Sequence, residues 1–181
     1  MKISPTFKMP LKRRRLGKTN YRKRLKLLLS GKPRLIIRKS LRYITAQIAE
    51  FDPKGDRIIV AATSKELKKF GWKFACDNTP AAYLTGLLIG KKALEKGIKE
   101  AVLDMGLHRP TKGCRIFAAL KGAIDAGLKI PAGKDIFPSE DRIKGIHIAK
   151  YLEKFKDMPQ VFEEVKRKIL GDEGGRREEG G

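Results

Sequence analysis

The alternation of apolar and polar residues is clearest between Lys32 and Asp56, where it predicts two strands joined by a short turn. The run Leu35–Ile37 follows Pro33 and is short, apolar and β-branched, as in a buried strand. The second strand alternates strictly from Tyr43 onward. Its core face is expected to carry Ile44, Ala46 and Ile48, and its polar face Tyr43, Thr45, Gln47 and Ala49.

Turn residues and helical spacing predict the remaining elements. Asp52–Gly55 is a turn signal, and Arg57–Thr63 reads as a third strand, which completes an antiparallel meander. Apolar residues at helical spacing and capping residues predict the helices. These are a basic helix from Thr19 or Asn20 to about Ser30 with Leu25, Leu28 and Leu29 towards the strands, a short turn capped by Ser64, and helices over about 79–96, 114–126, 146–155 and 159–170, with a fourth strand near 101–103.

These elements predict an α/β fold, a single domain in which helices pack on a mostly antiparallel sheet. The chain has 181 residues, of which 41% are hydrophobic, and this suits one core rather than two. Scattered apolar residues and two prolines make residues 1–18 a basic extended arm, and residues 19–130 form the α/β core. Residues 131–170 are expected to hold a loop and C-terminal helices, and the glycine-rich tail 171–181 to be disordered.

Charge is concentrated at the start of the chain. The net charge is +22, and residues 1–42 contain 16 Lys and Arg with no Asp or Glu. Such a segment repels itself and is expected to be largely disordered in isolation, so an ordered structure needs counter-charge from elsewhere. The excess of cations favours a polyanionic partner, nucleic acid above all.

Two places concentrate cations beside groups suited to RNA. The hairpin offers phosphate contacts from its cations and a ring in Tyr43 on which a base or ribose can stack. The loop 104–113 places Arg109 and Lys112 before a helix N-terminus, where backbone amides also favour anions. A charged edge strand that resists aggregation is the alternative interpretation of the hairpin. Its cations are Arg34, Arg38, Lys39 and Arg42.

Motifs for catalysis, metal binding or cofactors are weak. Cys76 and Cys114 stand far apart without metal-ligand spacing, and both histidines stand alone. Gly90 and Lys91 resemble the end of a phosphate loop, but the glycine spacing from Gly86 is wrong and the segment reads as helix, where two glycines permit close helix packing. The sequence therefore predicts no enzyme, no cofactor, no metal and no small-molecule substrate.

Two alternatives remain open at this point. Dispersed acids could meet in space in a metal-dependent nuclease that holds its substrate on the basic surface. These acids are Asp52, Asp56, Asp104 and Asp125. The basic amphipathic helix could instead lie on an anionic membrane surface. No apolar run is long enough to span a bilayer and no signal peptide is evident, so the expected location is the cytoplasm without membrane attachment.

Three long segments, in order, carry a resemblance to a known family. YRKRLKLLLSGKPRL, PRLIIRKSLRYITAQI and LDMGLHRPTKGCRIFAALKGAIDAGLKIP resemble the archaeal form of the universal large-subunit ribosomal protein L-eighteen family. The resemblance covers roughly residues 9–170. It implies a structural protein of the central protuberance that binds 5S rRNA in its α/β core and helps attach it to the large-subunit (23S) rRNA.

The resemblance also implies partners and contact residues. The partners are 5S rRNA, 23S rRNA and a neighbouring 5S-binding ribosomal protein. The arm is expected to bind RNA as well, and the eukaryotic members' long C-terminal extension has no counterpart here. Transferred by motif, the RNA-contacting residues are Arg13, Arg14, Arg15, Lys18, Tyr21, Arg22, Arg24, Arg34, Arg38, Lys39, Arg42, Tyr43, Arg109 and Lys112.

Overall fold

A computed structural model describes residues 6–171 and contains a four-stranded sheet in the order β3-β2-β1-β4. β1 pairs with β2 and β2 with β3 in antiparallel fashion, whereas β4 lies parallel to β1. The predicted single α/β domain with a mostly antiparallel sheet is therefore confirmed. The strands are β1 (Arg34–Lys39), β2 (Ile44–Glu50), β3 (Arg57–Thr63) and β4 (Val102–Asp104).

Helices cover one face of this sheet and leave the other face open. The long helix α3 follows its N-cap Asn78, whose side chain accepts a hydrogen bond from the Ala81 N–H, one residue earlier than the predicted Thr79 cap. Within residues 6–171, three short 3-10 helices connect the other elements. The α-helices are α1 (Lys12–Arg15), α2 (Tyr21–Leu28), α3 (Thr79–Glu95), α4 (Arg115–Asp125), α5 (Glu140–Lys144), α6 (Ile146–Tyr151) and α7 (Met158–Leu170).

The core lies between the sheet and the helices α3, α4 and α7. Leu35 and Ile37 of β1 and every second residue of β2 are fully buried, as the alternation predicts. Helices α3 and α4 touch at glycines: a Cβ on Gly86 would lie 1.9 Å from the Ala119 carbonyl oxygen, and one on Gly122 would lie 2.1 Å from that of Tyr83. The expected close packing at Gly86 is confirmed, because only hydrogen fits between these backbones.

One edge of the sheet is protected by lysines. β3 is an edge strand, and its carbonyl groups at Ile59 and Ala61 accept hydrogen bonds from Lys96 and Lys92 of α3 at 2.7 and 3.3 Å. Lysine at an open edge discourages pairing with another chain. The hydrophobic face of the sheet and its edge are thus both covered by α3.

Several local predictions are wrong, each for a tertiary reason. Ala49 is buried rather than on the polar face, because a register shift between Ile48 and Ala49 turns the strand. The N-cap of the 3-10 helix Ser64–Phe70 is Thr63 rather than the predicted Ser64. The backbone N–H of Thr63 donates a hydrogen bond to Glu66 Oε1 at 2.9 Å. Ser64 is buried and accepts a hydrogen bond from the Ile44 N–H instead.

The arm and the first helix differ most from expectation. The arm is not extended throughout, because Lys12–Arg15 forms one helical turn. Helix α2 begins after Asn20 as predicted, but it buries no residue, and Leu25 and Leu29 are 59% and 79% exposed. These leucines therefore do not cover the sheet.

A short helix, α5, also lies in the loop that was predicted to precede the C-terminal helices of residues 131–170. Apart from Gly171, the predicted tail lies outside the described residues, as do residues 1–5 of the arm. Among residues 6–171, no helix combines the length and apolarity needed to cross a bilayer.

Candidate nucleic-acid interface

The open face of the sheet is organised by a buried arginine on β1. Arg34 is only 3% exposed, and its guanidinium donates from Nη1 to Asp104 Oδ2 at 2.9 Å and from Nη2 to Asp56 Oδ2 at 2.5 Å. Asp104 ends β4 and Asp56 precedes β3, so one side chain joins three parts of the fold. Arg34 is thus enclosed and paired with two carboxylates, and its RNA contact stays a prediction.

Arg38 lies four residues after Arg34 on the same face of β1, and it also pairs with the Asp104 carboxylate. Its Nη2 donates to Asp104 Oδ1 at 2.9 Å and its Nη1 to the Asp104 backbone carbonyl at 2.6 Å. The side chain is 42% exposed, so part of the guanidinium still faces solvent. Arg38 therefore belongs both to the framework of the sheet and to its surface.

The pKa of the Asp104 carboxyl is lower than its ordinary value. Burial alone would raise this pKa, but the charge of Arg38 and hydrogen bonds from Arg38 and the Gly106 N–H lower it, and the charge of Arg34 adds to the effect. Asp104 is consequently ionised at neutral pH. It neutralises cations that would otherwise repel one another across the sheet.

Helix α2 is attached to this network by charge rather than by apolar packing. Arg24 donates to Asp56 Oδ1 at 2.8 Å, so Asp56 binds Arg24 and Arg34 together. After the helix, Lys32 pairs with Glu100 at 2.5 Å. The sequence predicts that the acid-free first 42 residues need counter-charge from elsewhere if they are ordered. The carboxylates that pair with this segment, Asp56, Glu100 and Asp104, all lie beyond it.

A groove of about 560 Å³ separates the arm and α2 from the open sheet face and the loop after β4. Seven cations and two carboxylates line it, which leaves a net charge of +5. Both carboxylates already pair with arginines. The charged lining residues are Arg13, Lys18, Lys23, Arg24, Lys26, Arg34, Arg38, Asp56 and Asp104.

His108 lies in the wall of the same groove. Its pKa is lowered from the ordinary value of 6.5, first by burial and then by the positive charges of Lys39 and Arg38. The imidazole is therefore neutral at pH 7. A neutral ring adds no charge to the wall, but it can donate or accept a hydrogen bond.

The turn between β1 and β2 projects exposed cations beyond the groove. Lys39 and Arg42 are both exposed, and neither pairs with a carboxylate in residues 6–171. Tyr43 is half-buried and packs against the core. Part of the Tyr43 side chain is therefore buried against the core, and only the exposed part remains for the predicted stacking on a base or ribose.

The arm forms a second, smaller groove on the outer side of α2. This groove of about 360 Å³ is lined by Arg14, Tyr21 and Arg22 together with Leu107 from the loop after β4. Arg13 turns the other way, and its Nε donates to Thr19 Oγ1 at 3.0 Å. The arm residues Arg13–Arg15 and Lys18 are all exposed.

The loop 105–113 carries a second predicted cluster and forms part of both grooves. Arg109 and Lys112 are exposed, and this loop also contributes His108 and Pro110 to the wall of the larger groove. Cys114 then begins α4 as its N-cap, without a side-chain hydrogen bond. The loop therefore places Leu107, His108 and Pro110 next to arm residues, although more than 80 residues separate the two segments.

Comparison with known proteins identifies the family. The family described as ribosomal large subunit proteins 60S L5 and 50S L18 matches residues 5–100 and 95–133. The large ribosomal subunit protein uL18 of Methanococcus maripaludis is 51% identical over 191 aligned positions, which cover 94% of this chain and 99% of that protein. The chain belongs to the L18 family of large-subunit ribosomal proteins.

This membership decides between the classes of function that the sequence left open. The L18 family consists of structural ribosomal proteins, so the chain is not an enzyme, and it is associated with the ribosome in the cytoplasm. Its partners are ribosomal RNA and ribosomal proteins. The archaeal resemblance predicted from three segments is confirmed.

The acids considered for a nuclease have other roles in this L18 protein. Asp56 and Asp104 meet around Arg34, but each is paired with arginines, and Asp125 accepts a hydrogen bond from the Tyr83 hydroxyl at 2.7 Å. Within residues 6–171, no three His, Cys, Asp or Glu side chains gather as metal ligands. The same carboxylates that suggested catalysis are the counter-charge of the basic face.

Sequence reasoning missed part of the groove and the basis of its shape. Lys23 and Lys26 line the groove, although the family motifs did not mark them. Asp56 and Asp104 hold the arginines of the groove in place. Their sequence positions could have indicated this role, because Asp56 lies just before β3, Asp104 lies at the end of β4, and the first 42 residues contain no acid that could pair with the arginines. Their pairing with Arg34 could not be read from spacing.

Proposed function

We propose that this L18 protein binds 5S rRNA through the groove, the β1–β2 turn and the loop 105–113. The supporting observation is a separation between paired and unpaired cations on one side of the fold. Arg24, Arg34 and Arg38 are paired with Asp56 or Asp104, whereas the cations around them have no carboxylate partner within residues 6–171. Among the predicted contact residues, the nine unpaired cations are Arg13, Arg14, Arg15, Lys18, Arg22, Lys39, Arg42, Arg109 and Lys112. Lys23 and Lys26 in the groove are unpaired within residues 6–171 as well.

The physical reason lies in the cost of crowding like charges. Nine unpaired cations on one surface repel one another, and RNA phosphates would remove this repulsion by forming charge-assisted hydrogen bonds. The paired arginines hold the sheet, α2 and the loop in position for that contact. Arg34 accordingly has a positioning role, and the remaining predicted residues, including Tyr21, Arg24, Arg38 and Tyr43, form the proposed RNA-binding surface.

Recognition by this surface depends on shape and phosphate position rather than on reading base pairs. A-form RNA hides its base edges in a deep and narrow major groove, so proteins recognise its backbone, its loops and its 2′-hydroxyls. A groove walled by an arm on one side and a rigid sheet on the other suits an irregular, folded RNA. Counterion release then supplies much of the affinity.

The arm extends the proposal to a second RNA. Residues 6–18 contain no buried side chain, and their cations are exposed, so they are available beyond the groove. We assign to this arm the contact with 23S rRNA that helps attach 5S rRNA in the central protuberance. A neighbouring 5S-binding ribosomal protein would share this site, as the family resemblance implies.

The test compares binding of the full chain to an archaeal 5S rRNA and to a structured RNA of the same size, with competitor RNA, over a range of salt concentrations. We expect a preference of at least about tenfold for 5S rRNA, about 1.4 kcal/mol, that persists at high salt. Contact with around eight phosphates predicts a slope of log affinity against log salt of about −6 to −7. Equal binding to both RNAs, or a slope shallower than about −2, would overturn the proposal.

A further inference from the structure

The tip of the β1–β2 turn carries an apolar side chain in an unusual position. Leu41 is 95% exposed, the highest value among the large hydrophobic side chains of residues 6–171. A leucine at a turn tip gains nothing from folding, since its surface stays in water. Turns usually place polar residues or glycine there.

The turn itself is held without any help from Leu41. The Ser40 backbone N–H and hydroxyl both donate to the Tyr43 carbonyl at 2.8 Å, and the hydroxyl oxygen accepts from the Tyr43 N–H at 2.9 Å. The Arg42 N–H also donates to this oxygen, at 3.3 Å. Ser40 thus closes the turn, and Leu41 is presented on a fixed backbone.

Cations stand on both sides of this leucine. Lys39 precedes it and Arg42 follows it, and both are exposed without a carboxylate partner in the described chain. If they bind two RNA phosphates, Leu41 must lie against the nucleotides between those phosphates. Leucine has no donor or acceptor, so it can gain only from apolar surface.

Apolar surface on RNA is found mainly on the faces of bases. In a continuous A-form helix these faces are stacked, and the wide minor groove displays hydroxyl groups. An apolar tip can therefore be accommodated only where a base is unstacked, in a loop or bulge. Apolar wedges beside cations act in this way when proteins insert between base steps.

We propose that Leu41 packs on the face of an unstacked base in a loop or bulge of the bound RNA, while Lys39 and Arg42 hold the flanking phosphates. The inference rests on the proposed function, because it assumes that this hairpin contacts 5S rRNA. It adds a recognition element that is independent of charge. Leu41 selects an irregular RNA element, whereas its neighbours bind any phosphate.

The experiment measures binding of full-length variants to an archaeal 5S rRNA at several salt concentrations. Leu41→Ala should weaken binding about tenfold, about 1.4 kcal/mol, without changing the salt slope. Leu41→Met should stay within about twofold of the parent, because it keeps the apolar volume. Arg42→Ala should instead reduce the magnitude of the salt slope by about 1. Leu152→Ala, at a 44% exposed leucine outside the groove and hairpin, is the matched control.

A second readout locates the base. Acylation of RNA 2′-hydroxyls reports nucleotide mobility, and the parent protein should protect one or a few loop or bulge nucleotides. Leu41→Ala should restore their reactivity and leave protections elsewhere intact. A protection pattern identical in the parent and Leu41→Ala would contradict the assignment of a base contact to Leu41.

The possible failures are distinguishable. If Leu41→Ala binds 5S rRNA within twofold of the parent protein while Arg42→Ala binds more weakly, the turn contacts phosphates only. The inference about Leu41 is then overturned. If the parent does not prefer 5S rRNA over the control RNA, the proposed function fails and this inference fails with it.

Discussion

Arg34 and Asp104 form an enclosed ion pair across 70 residues of sequence, joining the first strand of the sheet to the last. Asp104 also binds Arg38, and Asp56 joins Arg34 to Arg24 of α2. This network explains how a segment without acids is held on the fold. The cations closest to the sheet are neutralised by protein, and those further out remain for a partner.

Replacing Asp104 tests how much this network of ion pairs contributes to the free energy of unfolding. Asp104→Asn keeps the shape but leaves Arg34 with Asp56 as its one carboxylate partner in residues 6–171 and Arg38 with none there. Arg34 has almost no access to water that could replace the lost charge. We expect the free energy of unfolding to fall by about 3 kcal/mol. Urea denaturation measures it. Glu153→Gln is the control, because its pair with Lys156 is largely exposed, and a change below about 1 kcal/mol is expected there. Equal effects of both variants would contradict this role of Asp104.

The pH dependence of stability follows from the lowered pKa of Asp104. The unfolded chain has a pKa of about 3.9 for this group, and the folded chain a lower one. Between these values the unfolded state binds more protons, so stability falls as the pH falls. The gap in unfolding free energy between the parent and Asp104→Asn should stay constant from about pH 5 to 7 and narrow below about pH 4. A gap that persists at pH 3 would show that charge is not its cause.

The helix crossing of α3 and α4 predicts a large effect from one methyl group. Gly86→Ala would place Cβ 1.9 Å from the Ala119 carbonyl oxygen, a backbone atom that cannot move without separating the helices. We expect a loss of about 3 kcal/mol in unfolding free energy, despite the better helix propensity of alanine. Gly55→Ala is the control, since a Cβ there meets no atom within 4 Å. A loss similar to that of the control would show that the helices can separate freely.

The hairpin and the framework should respond differently to loss of an arginine. Arg42→Ala is expected to weaken 5S rRNA binding by about 1 to 3 kcal/mol with no change in unfolding free energy, because Arg42 has no protein carboxylate partner in residues 6–171. Arg34→Ala should instead destabilise the fold by about 3 to 5 kcal/mol, since it leaves Asp104 and Asp56 with fewer partners.

Arg38→Ala should both weaken 5S rRNA binding and lower the free energy of unfolding, each by a smaller amount, because Arg38 pairs with Asp104 and is also partly exposed. Filter binding and urea denaturation of the same preparations separate the two quantities. Unchanged RNA binding in the double variant Arg38→Ala/Arg42→Ala would show that the β1–β2 hairpin does not contact the RNA.

Removal of residues 1–18 tests the arm. No side chain in residues 6–18 is buried, so the truncated chain should keep a cooperative thermal unfolding transition. Its affinity for large-subunit RNA should fall, because six exposed cations are lost from the described part of the arm. Circular dichroism during heating and a gel-shift titration report these outcomes. Loss of the cooperative transition would mean that the arm is part of the folded core.

Elements governed by neighbouring residues were predicted well from the sequence. The alternation of β2 up to Ile48, the turn before β3 and the long helix α3 each follow from neighbouring residues, and the structure confirms them. Local reasoning failed where a distant contact competes. Ser64 left its expected cap to bind the Ile44 N–H, and α2 is attached through Arg24 rather than through its leucines.

The sequence by itself determined the fold class, the excess of cations near the start and the family, because periodicity, composition and long motifs are all read along the chain. Only the tertiary structure decided which cations are free to bind a partner. Arg34 and Arg42 look alike in sequence, yet one is enclosed between Asp56 and Asp104 and the other stands at an open turn. The physical reason is that charge pairing depends on distance in space, and folding brings acids from beyond residue 42 to the first strand.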